Sequence, residues 1–391
     1  MRYFVAAALV AFAVTAPPVV DAAEDCSNAD RSQVLFGVRG DFEVVIDPQD
    51  TAGNLIYVSN MSDGTSTVVA ARISGLTGTV LNGSLTTIAN NFRGLTSING
   101  PEFVQKPNGE LGIVYAGSEG VHGVFRPAQP AVWNDFRFDV TGAPTRGRPP
   151  ALPATSAGAY PAAPLPPGQS TYAQWRGSCL GLCYAALDGD ISTDVFTLEA
   201  QGLTVSASTN SPRDGYVFVS ACDGTNSCGL YEVKIDNAGG FVSGSLQKFA
   251  SLSGSTFKDS LVSVRHPVTG STIVFSNKGA SGTAIDVWEQ PEEGGALSLI
   301  ASVPVTSSGH FRAVSSTTAI VLHHLIRTGT SGGSYTIPVT ATESGLTVGA
   351  NKKISAVSGG SEFAWLPAAR RWALFFNRPT NNIFTRCWVI P

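Results

Sequence analysis

An apolar strand phrase that recurs seven times, a mean spacing of about 53 residues, and cysteines near both ends of the chain together predict an all-β fold. The architecture they predict is a single β-propeller of seven blades, with six as the alternative count. The phrases are LIYVSN around Tyr57, IVYAGS (Tyr115), LCYAAL (Tyr184), VFVSAC (Phe218), IVFSNK (Phe275), VLHHLI (His323) and LFFNRP (Phe376). Their successive intervals are 58, 69, 34, 57, 48 and 53 residues. A period of this size with strand character is that of propeller blades. Helical periodicity is weak throughout.

Residues 1–22 read as a secretory signal peptide: Arg2, a short apolar run over 4–14, and the small-residue cleavage site Val20-Asp21-Ala22. The run is too short for a membrane span, and no later stretch approaches the roughly 20 apolar residues needed. The mature chain, residues 23–391, is expected as one propeller domain, secreted and monomeric. Within it each unit has the same grammar. A first strand ends in Pro, Gly or Asn, then come a second strand, a polar hairpin and a third strand. The first unit places strands at 42–47, 54–59, 66–73 and 84–88, and the second at 102–105, 111–116 and 121–126. The fifth places them at 260–266, 272–277, 283–290 and 297–303, the sixth at 310–314, 319–325 and 334–339, and the seventh at 362–366, 372–377 and 382–390. Turn pairs such as Asn108-Gly109, Asp214-Gly215 and Asp223-Gly224 fall between strands, where positive φ is needed.

Two intervals depart from the rhythm. The 34-residue step leaves room for about three strands, so one blade is truncated or the count is six. The 69-residue step contains a Pro- and Ala-rich insertion at about 141–170, which cannot form a central strand because proline cannot donate to the ladder. Residues 33–38 (QVLFGV) have no place in the first unit, and the seventh unit runs out of chain after three strands. The N-terminal strand is therefore expected to pair with the last blade and close the ring.

Six cysteines in an exported chain read as three disulfides. Cys179 with Cys183 and Cys222 with Cys228 are local pairs, which leaves Cys26 and Cys387 to staple the seam. Four thiolates from the two local pairs holding zinc is the alternative.

Candidate chemistry lies where first strands begin. Gly40-Asp41-Phe42, Pro101-Glu102-Phe103, Gly309-His310-Phe311 and Ser361-Glu362-Phe363 each put an ionisable residue before a phenylalanine. Equivalent positions place Asp41, Glu102, His310 and Glu362 in one ring at a channel mouth. Arg312 shares a strand face with His310, and Asp259 joins as a substrate-binding residue. Convergent carboxylates suit acid–base work on a glycosidic bond, one protonating the leaving oxygen and another activating water. With His310 as base and Arg312 balancing a substrate carboxylate, the same ring suits a polysaccharide lyase. It also offers oxygen ligands to a divalent cation such as calcium, as does Asp188-Gly189-Asp190 with Asp194. Alternatively, each polar residue makes the same structural hydrogen bond in its own blade. The following phenylalanines are expected in the core. Trp133 and Trp175, near the insertion, are expected to stack on sugar faces. His323 and His324, on opposite faces of one strand, are expected in the core.

The repeat grammar resembles that of β-propeller proteins in general. Gly100-Pro101-Glu102-Phe103-Val104, followed by Asn108-Gly109-Glu110-Leu111, is similar to blade starts in propeller glycoside hydrolases, where acidic residues open inner strands. That resemblance implies a glycoside hydrolase; with the signal peptide and the His310–Arg312 option, the expectation is a secreted carbohydrate-active protein, a glycoside hydrolase or polysaccharide lyase acting on a glycan. A non-catalytic, lectin-like or protein-binding propeller is the alternative. A net charge of −4 gives no basic footprint for nucleic acid. Only 14% of residues are charged, against about 25% in an average soluble protein, so the surface is solvated largely by hydroxyls and turn backbone.

Overall fold

The computed structural model describes residues 31–36, 42–47, 50, 52–61, 67–89, 102–105, 111–117, 120–126, 139–140, 172–177, 181–186, 202–213, 216–225, 227–234, 242–252, 254, 260–278, 282–307, 309–326, 332–356, 361–378 and 383–389. Among them the chain forms antiparallel sheets, numbered here in chain order, and no helix. Sheet I comprises Phe42–Ile46, Leu55–Met61, Thr67–Ile73 and Thr86–Ala89. Sheet II comprises Glu102–Gln105, Leu111–Gly117, Gly120–Arg126 and Asp139–Val140, and sheet III the pair Tyr172–Gly177 and Gly181–Ala186. Sheet IV runs Leu203–Asn210, Tyr216–Asp223, Cys228–Lys234 and Gln247–Leu252. Sheet V runs Leu261–Arg265, Thr272–Asn277, Ala284–Gln290 and Ser298–Pro304. Sheet VI has His310–Ser315, Ala319–Ile326 and Gly333–Thr342, with its fourth position divided between Gly345–Val348 and Lys352–Ser355. The sequence reading assigned no strand there. Sheet VII has Ser361–Leu366, Arg371–Arg378 and Ile383–Val389, and its fourth strand is Arg31–Phe36 from the other end of the chain. The N-terminal strand thus pairs where expected, two residues earlier than its sequence placement, with Arg31 opposite Cys387.

The second strands explain why the recurring phrases read as unbroken apolar runs. Every residue of Thr272–Asn277 (TIVFSN) is buried, because sheet V is covered on both faces by its neighbours. A strand covered on both faces needs apolar residues at odd and even positions alike. Fourth strands are the opposite case: Ser298–Pro304 is largely exposed and alternates weakly.

From sheet IV through sheet VII to sheet I, packing runs sheet to sheet in chain order. Phe218 and Leu230 of sheet IV pack with Val274 and Trp288 of sheet V. Phe275 and Ile285 pack with Phe311 and Leu322 of sheet VI, and Val321 of sheet VI packs with Phe363 and Phe376 of sheet VII. Ala364 and Phe375 of sheet VII then pack with Phe42 and Leu55 of sheet I, so the last sheet meets the first. First strands follow the same succession, each from sheet IV onward touching the next and that of sheet VII touching that of sheet I. The described phenylalanines that follow the strand-start motif, Phe42, Phe311 and Phe363, are core as expected.

A feature not visible in the sequence repeats with the sheets. The third-to-fourth strand register slips by one residue at Val68/Val69, Leu230/Tyr231, Val287/Trp288 and Ser334/Tyr335. Such bulges add twist and turn an edge strand away from further pairing. In sheets IV and VI the residue after the bulge is a tyrosine opposite a lysine, Tyr231 with Lys248 and Tyr335 with Lys353. Both ammonium groups lie 5.7 Å from the ring centre.

Cys222 and Cys228 are cross-strand partners joined by a disulfide of 2.01 Å, which overturns the zinc alternative. Asp223 accepts from the Thr225 hydroxyl at 2.6 Å and from the Thr225 and Ser227 backbone N–H groups, closing the hairpin. These bonds, the Thr225 hydroxyl foremost, hold its carboxyl below the ordinary value. Cys387 is also disulfide-bonded and buried; its partner lies outside the described residues. Cys26, Cys179, the side chain of Cys183, residues 1–22 and the 141–170 insertion lie outside them as well.

Candidate functional site

Sheet VI begins its first strand under tight steric control. A Cβ on Gly309 would stand 1.8 Å from the Leu325 carbonyl oxygen, so only glycine allows the chain to turn into His310–Ser315 there. Two residues past His310, Arg312 projects toward sheet VII. Its Nε lies 3.3 Å from Oε1 of Glu362, the second residue of that sheet's first strand. The two side chains are 27% and 13% exposed, so the pair is partly desolvated and still reachable from solvent. Two residues chosen from the sequence, in adjacent sheets, therefore meet.

The other candidates fare differently. His310 opens its strand opposite Leu325, and Glu102 opens the first strand of sheet II opposite Val114, in the positions expected. Their side chains lie outside the described part, as does that of Trp175, which is opposite Cys183 in sheet III. Asp41, Asp259, Trp133 and the Asp188–Asp194 stretch lie outside the described residues altogether. Among the described residues no three of His, Cys, Asp and Glu come together to hold a metal ion. Among the described residues there is no helix long and apolar enough to cross a membrane.

Two further histidines, His324 and His266, are structural. His324 is fully buried, with Nε2 at 2.9 Å from Asn351 Oδ1, its ring stacked on Tyr335 at 5.1 Å and edge-on to Phe311 at 6.1 Å. Burial pushes its pKa down to about 4, the Asn351 bond offsetting only part of that effect. His266 caps a turn: its Nδ1 accepts the backbone N–H groups of Val268 and Thr269, each at 3.1 Å. Burial lowers its pKa too.

Sequence reasoning missed a second polar centre, between sheets IV and V. Arg213, in the first hairpin of sheet IV, places Nη1 at 3.2 and 3.0 Å from the two carboxylate oxygens of buried Glu232. Gln290 of sheet V donates to Glu232 Oε2 at 3.3 Å, and the guanidinium lies 3.9 Å from the Tyr216 ring centre. Burial nevertheless pushes the Glu232 carboxyl above its ordinary value, outweighing the attraction of Arg213. The only early signal was a glutamate inside an otherwise apolar strand, CGLYEVK. A pocket of 460 Å³ lies between the outer ends of sheets V and VI, lined by Val303–Thr306, Ala350 and Asn351, with no charged group.

No protein-family model matches this chain, and no curated protein matches it. Among solved structures it is similar to a candidate 6-phosphogluconolactonase of Bacteroides fragilis. The identity is 11% over 87% of this chain and 95% of that one, with a TM-score of 0.52. It is also similar to the Swd1 β-propeller domain of Myceliophteria thermophila, at 10% identity, 90% and 100% coverage and a TM-score of 0.49. A periplasmic gluconolactonase of Pseudomonas aeruginosa shares 12% identity over 89% and 96%, with a TM-score of 0.48. At these identities the likeness concerns the fold alone. With its successive meander sheets and repeated strand phrase, the chain is similar to β-propeller repeat proteins and to no specific family among them.

Proposed function

We propose that this chain is an exported, seven-bladed, ring-closed propeller that binds carbohydrate at the channel end marked by Arg312 and Glu362. The observation that carries the reading is the 3.3 Å pair itself, which spans two sheets and stays partly exposed. A carboxylate beside a guanidinium offers acceptors and donors in fixed geometry, the complement of a sugar's hydroxyls. Support for closure comes from the Arg31–Phe36 strand in sheet VII and the packing of sheet VII on sheet I. A Cys26–Cys387 bridge completes the seam in this reading. Cys387 is bonded, Cys222 and Cys228 occupy each other, and Arg31, five residues from Cys26, stands opposite Cys387.

The test is binding of the mature protein to a broad glycan panel, with Arg312→Ala and Glu362→Gln alongside. New reducing ends and unsaturated-product absorbance are recorded in the same samples. Retained folding with a roughly 10- to 100-fold loss of affinity in both variants is expected, the scale of losing hydrogen bonds to charged groups. Binding that ignores both substitutions would place the site elsewhere. Turnover would convert the reading to hydrolysis or elimination and direct attention to Asp41, Glu102 and His310.

A further inference from the structure

We propose that His323, a buried residue of the second strand of sheet VI, is the positioning residue that sets Arg312 against Glu362. The proposal rests on the binding-site reading above, and its geometry can be tested without a ligand. His323 and Arg312 are direct cross-strand partners, so both side chains leave sheet VI on the face turned toward sheet VII. Across that gap His323 engages the residues on either side of Glu362. Its ring stacks on Phe363 with centroids 5.9 Å apart and planes inclined by 13°. Its Nε2 lies 3.4 Å from the hydroxyl of Ser361, which is itself 3.0 Å from the Ser334 hydroxyl of sheet VI.

Ser361 and Phe363 share one face of their strand, and Glu362 leaves from the other. A grip on both flanking residues fixes the strand's height and rotation relative to sheet VI. Height decides whether the Glu362 carboxylate stands level with Arg312. A displacement by one residue's rise, about 3.3 Å along the strand, would carry the carboxylate out of hydrogen-bond reach of Arg312. An Arg–Glu pair at the solvent margin contributes too little to hold two sheets in register by itself. The buried stack and hydroxyl contacts hold the sheets, and the ion pair follows from them.

The experiment is the NMR signal of the Arg312 Nε–H group in the full chain, assigned by its loss in Arg312→Lys. Glu362→Gln shifts it and marks the position it takes without the carboxylate. We expect His323→Ala and Ser361→Ala to move the signal most of the way to that position in folded protein. His323→Phe, which keeps the stack and loses the hydroxyl contact, should move it part of the way. Should His323→Ala fail to fold, the other two variants decide the matter. A signal unchanged from wild type in those folded variants would overturn the proposal and leave His323 as packing only. Where a glycan binds, the alanine variants should lose affinity about tenfold, alongside the loss in Glu362→Gln. If no glycan binds wild type, the carbohydrate reading fails while the NMR result still judges the positioning role.

Discussion

Removing Glu232 sets two opposed effects against each other at a buried site. The carboxylate accepts two bonds from Arg213 and one from Gln290 of the neighbouring sheet, and the pair's side chains are 19% and 5% exposed. Stripping one partner from a fully buried ion pair costs about 3–5 kcal/mol. Arg213 retains partial access to solvent and its Tyr216 stack, which lowers the expected cost of Glu232→Ala to about 2–3 kcal/mol. Unfolding entropy near 2.1 cal/mol/K per residue gives roughly 0.8 kcal/mol/K for 391 residues, so Tm should fall by about 2–4 °C. Arg213→Ala and the double variant complete a cycle in urea, with expected coupling of about 1–2 kcal/mol. The pH dependence supplies the sign. The folded-state carboxyl is raised by burial, so its contribution to stability is fully present below the ordinary glutamate value and is lost as pH rises through the folded value. The deficit of Glu232→Ala should therefore be greatest near pH 4 and shrink toward neutrality. A deficit that grows with pH would show that the pull of Arg213 outweighs burial, and a coupling under about 0.3 kcal/mol would refute the network itself.

Other outcomes follow from the same geometry. His324, held down near a pKa of 4, favours the fold above the ordinary histidine value, and that stability is lost as pH falls through about 4. Its acid limb is worth about 3 kcal/mol. His324→Phe keeps the ring stack and should flatten that limb in pH-dependent urea midpoints. Trp288→Phe removes the 2.9 Å bond from the indole N–H to Ser276 and should cost about 1–3 kcal/mol, with Ser276→Ala in the same chain recovering part of it. Replacing both Cys222 and Cys228 by serine should cost about 2 kcal/mol and 2–3 °C by calorimetry, the loop-entropy value for a short hairpin. An unchanged Tm would mean that the Asp223 turn alone holds the hairpin.

The amino-acid pattern alone determined the all-β class, the strand order of most units, the core role of Phe42, Phe311 and Phe363, and the pairing of the N-terminal strand with the last sheet. These follow from local periodicity and strand counting, which travel with the chain. The local Cys222–Cys228 pair was legible for the same reason, because a six-residue separation needs only a hairpin. Arg312 and Glu362 were each legible as residues at strand starts, but their meeting depended on how sheet VI sits on sheet VII. Glu232, Arg213 and Gln290 come from two sheets and a hairpin, and nothing in their spacing announces a shared centre. His323 reads in the sequence as one of two strand histidines; its contact with the residues flanking Glu362 exists only across the packed sheets. Strand identity is encoded within a few residues of chain, whereas sheet-to-sheet register is set by the fit of side chains tens of residues apart. That fit decided the polar centres.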